Sequence, residues 1–404
     1  MARIGIIGAG IVGLACAHWL VEDGHQVTIV DRDPRGDKCS WGNAGGIAVT
    51  EVAPASMPGL IWRVPGWLID PLGPLSVRPA HAAAMLPWLR RFLAAGRANR
   101  VPAIAAALAS LNARVHDDLV PLLAATGLSH ALRRVGALTV YETRAGFEHD
   151  RAEWDLRRQH GIVCEELTGE AAREMEPALG GNVHLGVFTP AWSQVTDPKV
   201  IWAGVFDSLL ARGVTFEKRE VVDPAGGDGA FDTTVIAAGA WSARLAARIG
   251  DRASLESERG YNTTLPEPGL TLTRQITFGE HKFIAAPLAC GLRVGGAAEF
   301  AGLDAAPNFA RSAALLALAR RYLPALSGKG GTVWMGNRPT TPDSLPVIGR
   351  SPRRSDVIYA FGHGHLGLTQ SATTGRLVAD LVAGRNSGID LTPFSIGRFS
   401  IAGT

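Results

Sequence analysis

Apolar, largely β-branched residues run from Arg3 to Ile7 in "RIGII", the pattern of a strand buried on both faces. An apolar stretch over Ile11 to Asp23 is predicted helical and stopped by Gly24. "QVTIVD" (Gln26 to Asp31) returns to strand character, so the chain opens on a β–α–β unit. Residues 51–100 change character, and "GLIWRVPGWLIDPLGPL" mixes tryptophan, proline and leucine. Helical texture resumes near Val101 to Thr126, and "RRVGALTVYET" and "HLGVFTP" read as strands. In "TDPKVIWAGVFDSLLARG" Thr196 or Asp197 suits the helix cap, Pro198 the first turn and Gly213 the stop. "VTFEKREV", "TTVIAAGAW" and "GLRVGGAAEF" read as strands, "ARSAALLALARRYL" as an amphipathic helix. A last helix is predicted from near Leu366 to Gly384. Strand–helix material lies at the beginning, middle and end, which predicts a discontinuous nucleotide domain with a second domain inserted into it.

The length of 404 residues fits two domains, and 47% hydrophobic with 19% charged residues is a globular composition. Forty basic against 37 acidic residues, net +3, argue against a nucleic-acid surface spread over the fold. Cys16, Cys39, Cys164 and Cys290 are scattered with no CxxC pair, so reduced thiols and a cytoplasmic location are expected. "RIGIIGAG" begins at once, leaving no expected signal peptide, and no apolar run approaches the ~18 residues of a spanning helix.

"GAGIVG" places Gly8, Gly10 and Gly13 in G-x-G-x-x-G spacing between strand and helix. Gly8 permits the tight turn, Gly10 lets backbone approach a pyrophosphate, and Gly13 lets helix and strand pack closely. Ala9, Ile11 and Val12 belong to the same turn, whose free amides favour phosphate. Asp31 ends the second strand, where its carboxylate suits an adenosine ribose. This fingerprint does not separate NAD from FAD. Two further stretches favour FAD: "CSWGNAGGI" (Cys39 to Ile47), whose small residues and Asn43 suit a flat ring, and "TTVIAAGAWS" (Thr233 to Ser242).

The chain resembles the D-amino-acid oxidase superfamily of flavoproteins, and within it the D-amino-acid dehydrogenases of the small-subunit type. The resemblance spans nearly the whole sequence through "IGIIGAGIVGLACAHWL", "SWGNAGGI", "EMEPAL", "VIAAGAWS", "ERGY", "GLRVGGAAEF", "GNRPTTPDSLPVIGR" and "GHGHLGL". "SERGYNTTL" with "HKFIAAPL" is similar to a subset associated with D-hydroxyproline. The resemblance implies an α/β chain, α+β overall, with a Rossmann-like FAD-binding domain (1–85, 150–250 and 330–404). A substrate domain on a large mixed sheet (86–149 and 251–329) is inserted into it. It implies non-covalent FAD held also by Arg32, Ser40, Ala44, Gly45, Gly46, Val222, Ala238, Gly239, Trp241 and Gly336. The implied reaction is two-electron oxidation of a D-amino acid to an imino acid, with oxygen or a quinone as acceptor. Alternatives are a glycine or sarcosine oxidase, an opine oxidase subunit, a non-catalytic flavoprotein partner, or, remotely, an NAD-dependent dehydrogenase.

Arg338 in "GNRP" matches the family's carboxylate-binding segment, and its planar fork suits a substrate carboxylate. Tyr261 is the second expected contact, with a core-packing reading beside it. Gln194, with Ser193, is a further pocket candidate. His281 and Lys282 are either side-pocket groups or the solvated start of a strand. No dedicated base is nominated, since hydride transfer needs alignment above all.

"IWRVPGWLIDPL" (Ile61 to Leu72) reads either as an active-site lid or as a peripheral membrane contact that meets a quinone. In "FGHGHLGLT" (Phe361 to Thr369), His363 and His365 have no third ligand beside them, so no metal is expected. Gly362, Gly364 and Gly367 bring backbone to a flat ligand. The amides around His365, Leu366, Leu368 and Thr369 suit negative charge on a reduced flavin ring, with the imidazoles of His363 and His365 as candidate walls of the substrate pocket.

Overall fold

A computed structural model describes residues 1–62, 64–69, 73–224, 230–328 and 330–400. The opening β–α–β unit forms as the pattern predicts, with strands Arg3–Ile7 and Gln26–Asp31 around helix Ile11–Glu22, and Gly24 at φ +78 just past its end. Arg3–Ile7 pairs in parallel with Gln26–Asp31 on one side and Thr233–Ile236 on the other. Thr215–Lys218 and Val357–Phe361 extend the parallel array, and Val347–Arg350 closes one edge antiparallel. Neighbours in this sheet therefore come from both ends and the middle of the chain.

Helix Ile11–Glu22 is apolar nearly all round and buried. Its partner, helix Gly367–Ala383, lies so close that a Cβ on Gly375 would stand 2.5 Å from the Ala15 carbonyl. At Gly13 a Cβ would stand 2.0 Å from the Gly8 carbonyl oxygen. Trp202 on helix Pro198–Ala211 seals the same core and donates its indole N–H to the Ala9 carbonyl at 2.8 Å. Asp197 caps that helix through the Lys199 amide, 2.8 Å away.

Nine described strands make the second, mixed sheet. Its main path runs Thr332–Thr340, Glu256–Leu265, Gly291–Phe300, Phe283–Leu288, Gln275–Phe278, Ala137–Tyr141, Leu185–Thr189 and Glu165–Thr168, with Leu75–Val77 beside Gly291–Phe300. The fold class is the expected one, α/β with a large mixed sheet. Boundaries differ from those expected: Glu165–Thr168, Leu185–Thr189 and Thr332–Thr340 add to this mixed sheet, although their sequence ranges were assigned to the nucleotide domain. Ladder partners distant in sequence claim them, and strand pattern carries no such address.

A short third sheet joins Gly46–Ile47, Ser193–Val195 and Leu132–Arg133, stitching the loop after Cys39 to the body. The helical texture near Val101 to Thr126 resolves into Val101–Asn112 and Val115–Ala125. Of the lid or membrane stretch, Leu60–Trp62 and Val64–Ile69 are short helical turns with Ile61, Trp62 and Leu68 exposed. Arg63 and residues 70–72, also part of that reading, lie outside the described residues.

Candidate active site

The two sheets face each other across a cavity of about 1240 Å³. That exceeds the roughly 300–1,000 Å³ of ordinary ligand clefts and leaves room for a dinucleotide and a small substrate together. Two helices begin at its wall. Neither Ile11–Glu22 nor Gly367–Ala383 has a side-chain cap at its N-terminus, so their first amides and positive dipole ends are open to a ligand.

The glycine turn sits at one end. Gly8 has φ +115 and lies against the Ala237 backbone. Gly10 has ordinary dihedrals, and a Cβ there would meet nothing within 4 Å, so its bare face opens on the cavity beside Ile11 and Val12. Asp31 Oδ2 accepts the Ala9 amide at 2.7 Å, while Oδ1 accepts the Asp33 amide at 2.8 Å and faces Lys38 Nζ at 3.4 Å. Arg32 stacks over the Trp241 ring, 4.0 Å from its centre, bringing the second strand's end against the Ala238–Gly239 turn. Val222 lines this end from the surface.

Loop 39–46 crosses the middle. Arg293, from the mixed sheet, donates to the carbonyls of Trp41 (2.9 Å) and Asn43 (2.6 Å), and Asn262 donates to that of Gly42 (2.9 Å). Asn43 Oδ1 accepts the Gly45 amide at 2.8 Å and shapes the turn. Gly46 lies against Trp192 and Gln275, with a built Cβ 3.0 Å from the indole nitrogen and 2.9 Å from Gln275 Oε1. Ser40, Trp192 and Gln275 line the cavity, and their buried Oγ, Nε1 and Oε1 atoms have no hydrogen-bond partner among the described residues. Buried polar groups are normally satisfied, so these three mark where a polar ligand belongs. With Gly10, Asp31 and the two open helix ends they fit a flavin dinucleotide.

At the far end, His365, Leu366, Gly367 and Leu368 line the cavity, with Gly364 at φ +53. His363 is buried, its Nε2 is 2.9 Å from Thr374 Oγ1, and burial lowers its pKa to about 3, so it is a neutral wall. Several expected cofactor positions stand behind the lining. Ala9 and Gly13 hold the turn, Gly45 (φ +79) and Gly362 (φ +83) pack on protein, and Thr369 Oγ1 bridges the Ala48 amide (3.0 Å) and the Gly46 carbonyl (3.2 Å).

Arg338 is on the cavity wall directly across the ladder from Glu258. Its Nη1 donates to Glu258 Oε1 at 2.7 Å and to the Ala297 carbonyl at 3.1 Å. Its Nη2 lies over Gly260, where a Cβ would come within 2.2 Å. Glu258 Oε2 accepts from Thr340 Oγ1 at 3.2 Å, and Thr340 bridges to His363. Sequence reasoning missed Glu258 and Gly260; the available signal was a glycine inside a strand, which marks close approach.

Other expected contacts are placed differently. Tyr261 lines the cavity but is nearly fully buried, and its hydroxyl already donates to Glu299 and accepts the Asn308 amide at 3.0 Å. His281 is not in the lining and sits edge-on to Tyr322, with Nε2 4.0 Å from Glu142. Gln194 is buried behind the wall, donating to the Pro287 carbonyl at 2.9 Å, and Ser193 Oγ is 3.0 Å from His116 Nε2. Lys282 does line the cavity, at φ +52, with Nζ 2.6 Å from Asp150 Oδ2. Gly336 also lines the cavity, and a Cβ there would strike the Trp334 ring at 1.9 Å.

Comparison with known proteins agrees with this geometry. Residues 3–381 match the DAO family of FAD dependent oxidoreductases. A D-amino-acid oxidase of Bradyrhizobium diazoefficiens is 36% identical, the match covering 98% of this chain and 99% of that protein. A D-amino acid dehydrogenase of Paramagnetospirillum magneticum is 34% identical, over 98% and 99% respectively. Among solved structures, glycine oxidase from Geobacillus kaustophilus superposes with a TM-score of 0.72 at 25% identity, covering 99% of this chain and all of that one.

Proposed function

The chain belongs to the DAO family of FAD-dependent oxidoreductases, and from that premise we propose that it oxidises a D-amino acid to the imino acid. One observation carries the reading: Arg338, whose guanidinium suits a substrate carboxylate, lines the same cavity as Gly10 and Asp31 of the expected dinucleotide cradle. We infer that the six-stranded sheet carries the FAD-binding body and the mixed sheet the substrate-binding one. FAD, when bound, supplies an acceptor for a hydride. On the substrate the Cα–H bond breaks with its electron pair, the nitrogen lone pair forms C=N, and a proton leaves nitrogen. Arg338 holds the carboxylate and so orients Cα. Gly10, Asp31, Ser40 and the amides of 11–12, 365 and 367–368 would hold the cofactor without a covalent bond, the Leu366 amide being donated to the His363 carbonyl.

D-Proline and D-hydroxyproline are the first substrates to try, on the similarity carried by "SERGYNTTL". Glycine is the second reading, favoured by the superposition on glycine oxidase. No described helix is long and apolar enough to cross a membrane, and exposed Trp62 and Ile61 make the lid stretch the candidate for peripheral membrane contact. Anaerobic mixing of the flavoprotein with D-amino acids, glycine and sarcosine tests the reading. Bleaching by a D-amino acid supports it. Bleaching by glycine or sarcosine alone moves it to the second reading, and no bleaching by any compound removes it. Reoxidation by oxygen or by a quinone then identifies the acceptor.

A further inference from the structure

Resting on that reading of the site, we infer that Glu258 is the receptor for the substrate's α-nitrogen and makes the site selective for amino acids over other carboxylates. Arg338 and Glu258 are opposite one another on adjacent antiparallel strands, 2.7 Å apart at Nη1 and Oε1, and both line the cavity. An α-amino acid carries its carboxylate and its nitrogen on the same carbon. Groups that bind the two must therefore be neighbours, as these are. Asp31, Asp37, Glu51, Asp150, Glu153 and Glu220 also line the cavity, but the first four are tied to Ala9, Trp334, Arg157 and Lys282. Glu153 faces Arg157 at 4.0 Å, and Glu220 is exposed beyond strand Thr215–Lys218, so none of them stands beside Arg338.

The hydrogen-bond capacity of Glu258 supports the assignment. Its Oε1 accepts from Arg338 and its Oε2 from Thr340. An ionised carboxylate has about four acceptor positions, so two remain for an amine, which brings only donors. The charge balance points the same way. A lone arginine attracts any carboxylate, whereas an Arg338–Glu258 pair is neutral overall and matches a zwitterion, charge against charge. The bare α-carbon of Gly260 gives the guanidinium room to lie across the strand, against Glu258.

The test compares two ligands of nearly the same shape, neither oxidisable at Cα. α-Aminoisobutyrate has no α-hydrogen, and pivalate replaces its ammonium by a methyl. Binding to the FAD-loaded protein is read by titration calorimetry, independent of turnover. Wild type should prefer α-aminoisobutyrate. In Glu258→Gln that preference should fall by a factor on the order of ten or more, with pivalate bound as well as before or better. Glu258→Asp, which keeps the charge, should retain part of the preference, and far-ultraviolet circular dichroism of each variant checks folding. Equal loss of both ligands in Glu258→Gln would reduce Glu258 to a support for Arg338 and overturn the inference. So would a wild type without preference, or one that binds neither ligand. Failure of the parent reading looks different: no D-amino acid bleaches the wild-type flavin, whatever the two ligands do.

Discussion

Asp31 Oδ2 accepts the amide of Ala9 at 2.7 Å, tying the end of the second strand to the middle of the glycine turn. The carboxylate is thereby fixed at the mouth of the cleft with Lys38 beside it. Asp31→Ala removes charge-assisted bonds of about 1.5–3 kcal/mol, so the apparent Kd for FAD should rise roughly ten- to a hundredfold, with Asp31→Asn between. The flavin-to-protein ratio after gel filtration checks this.

Glycines at two positions separate folding from cofactor binding. Gly375→Val drives side-chain atoms into the Ala15 backbone and should cost about 1–3 kcal/mol or more in urea unfolding. At Gly10 a Cβ meets no protein atom within 4 Å, so Gly10→Ala should leave unfolding of the FAD-free protein nearly unchanged and weaken FAD binding.

Arg338→Ala should raise the apparent substrate constant by a factor on the order of 10² or more while FAD is retained. Gly260→Ala should act in the same direction more weakly, because the new methyl displaces the guanidinium, the flexible end of a long side chain, and leaves backbone in place. Steady-state kinetics with the best compound of the anaerobic panel checks both. Unchanged kinetics in Arg338→Ala would take this residue out of the carboxylate role.

His363 sets a pH dependence of stability. Its pKa is depressed from 6.5 to about 3 by burial, so as pH falls the unfolded chain takes the proton first. The stability is therefore present in full above 6.5 and is lost progressively toward 3. From about pH 7 to about pH 5 the loss from this group is about 2 kcal/mol. His18, lowered to about 4 chiefly by burial, adds in the same direction. His363→Gln should flatten the slope of unfolding free energy against pH by about 2 kcal/mol over this range, read from urea midpoints.

The opening strand, helix and strand, the Asp197 cap and the left-handed Gly24 and Gly384 were legible in the sequence because each is decided by residues within a few positions. So was the glycine turn, since Gly8, Gly10 and Gly13 act through backbone geometry alone. Tertiary structure decided the rest. Whether 165–168 or 185–189 joins one sheet or the other depends on ladder partners far along the chain. Tyr261 and Arg338 both line the cavity, and only packing shows that the Tyr261 hydroxyl is engaged by Glu299 and the Asn308 amide while the Arg338 guanidinium pairs with Glu258. Glu258 lies in the "ERGY" segment, but the residues around it do not by themselves give it a binding role. Its meaning comes from the register that sets it opposite Arg338, and from a glycine two residues on whose bare α-carbon makes room for the guanidinium beside it.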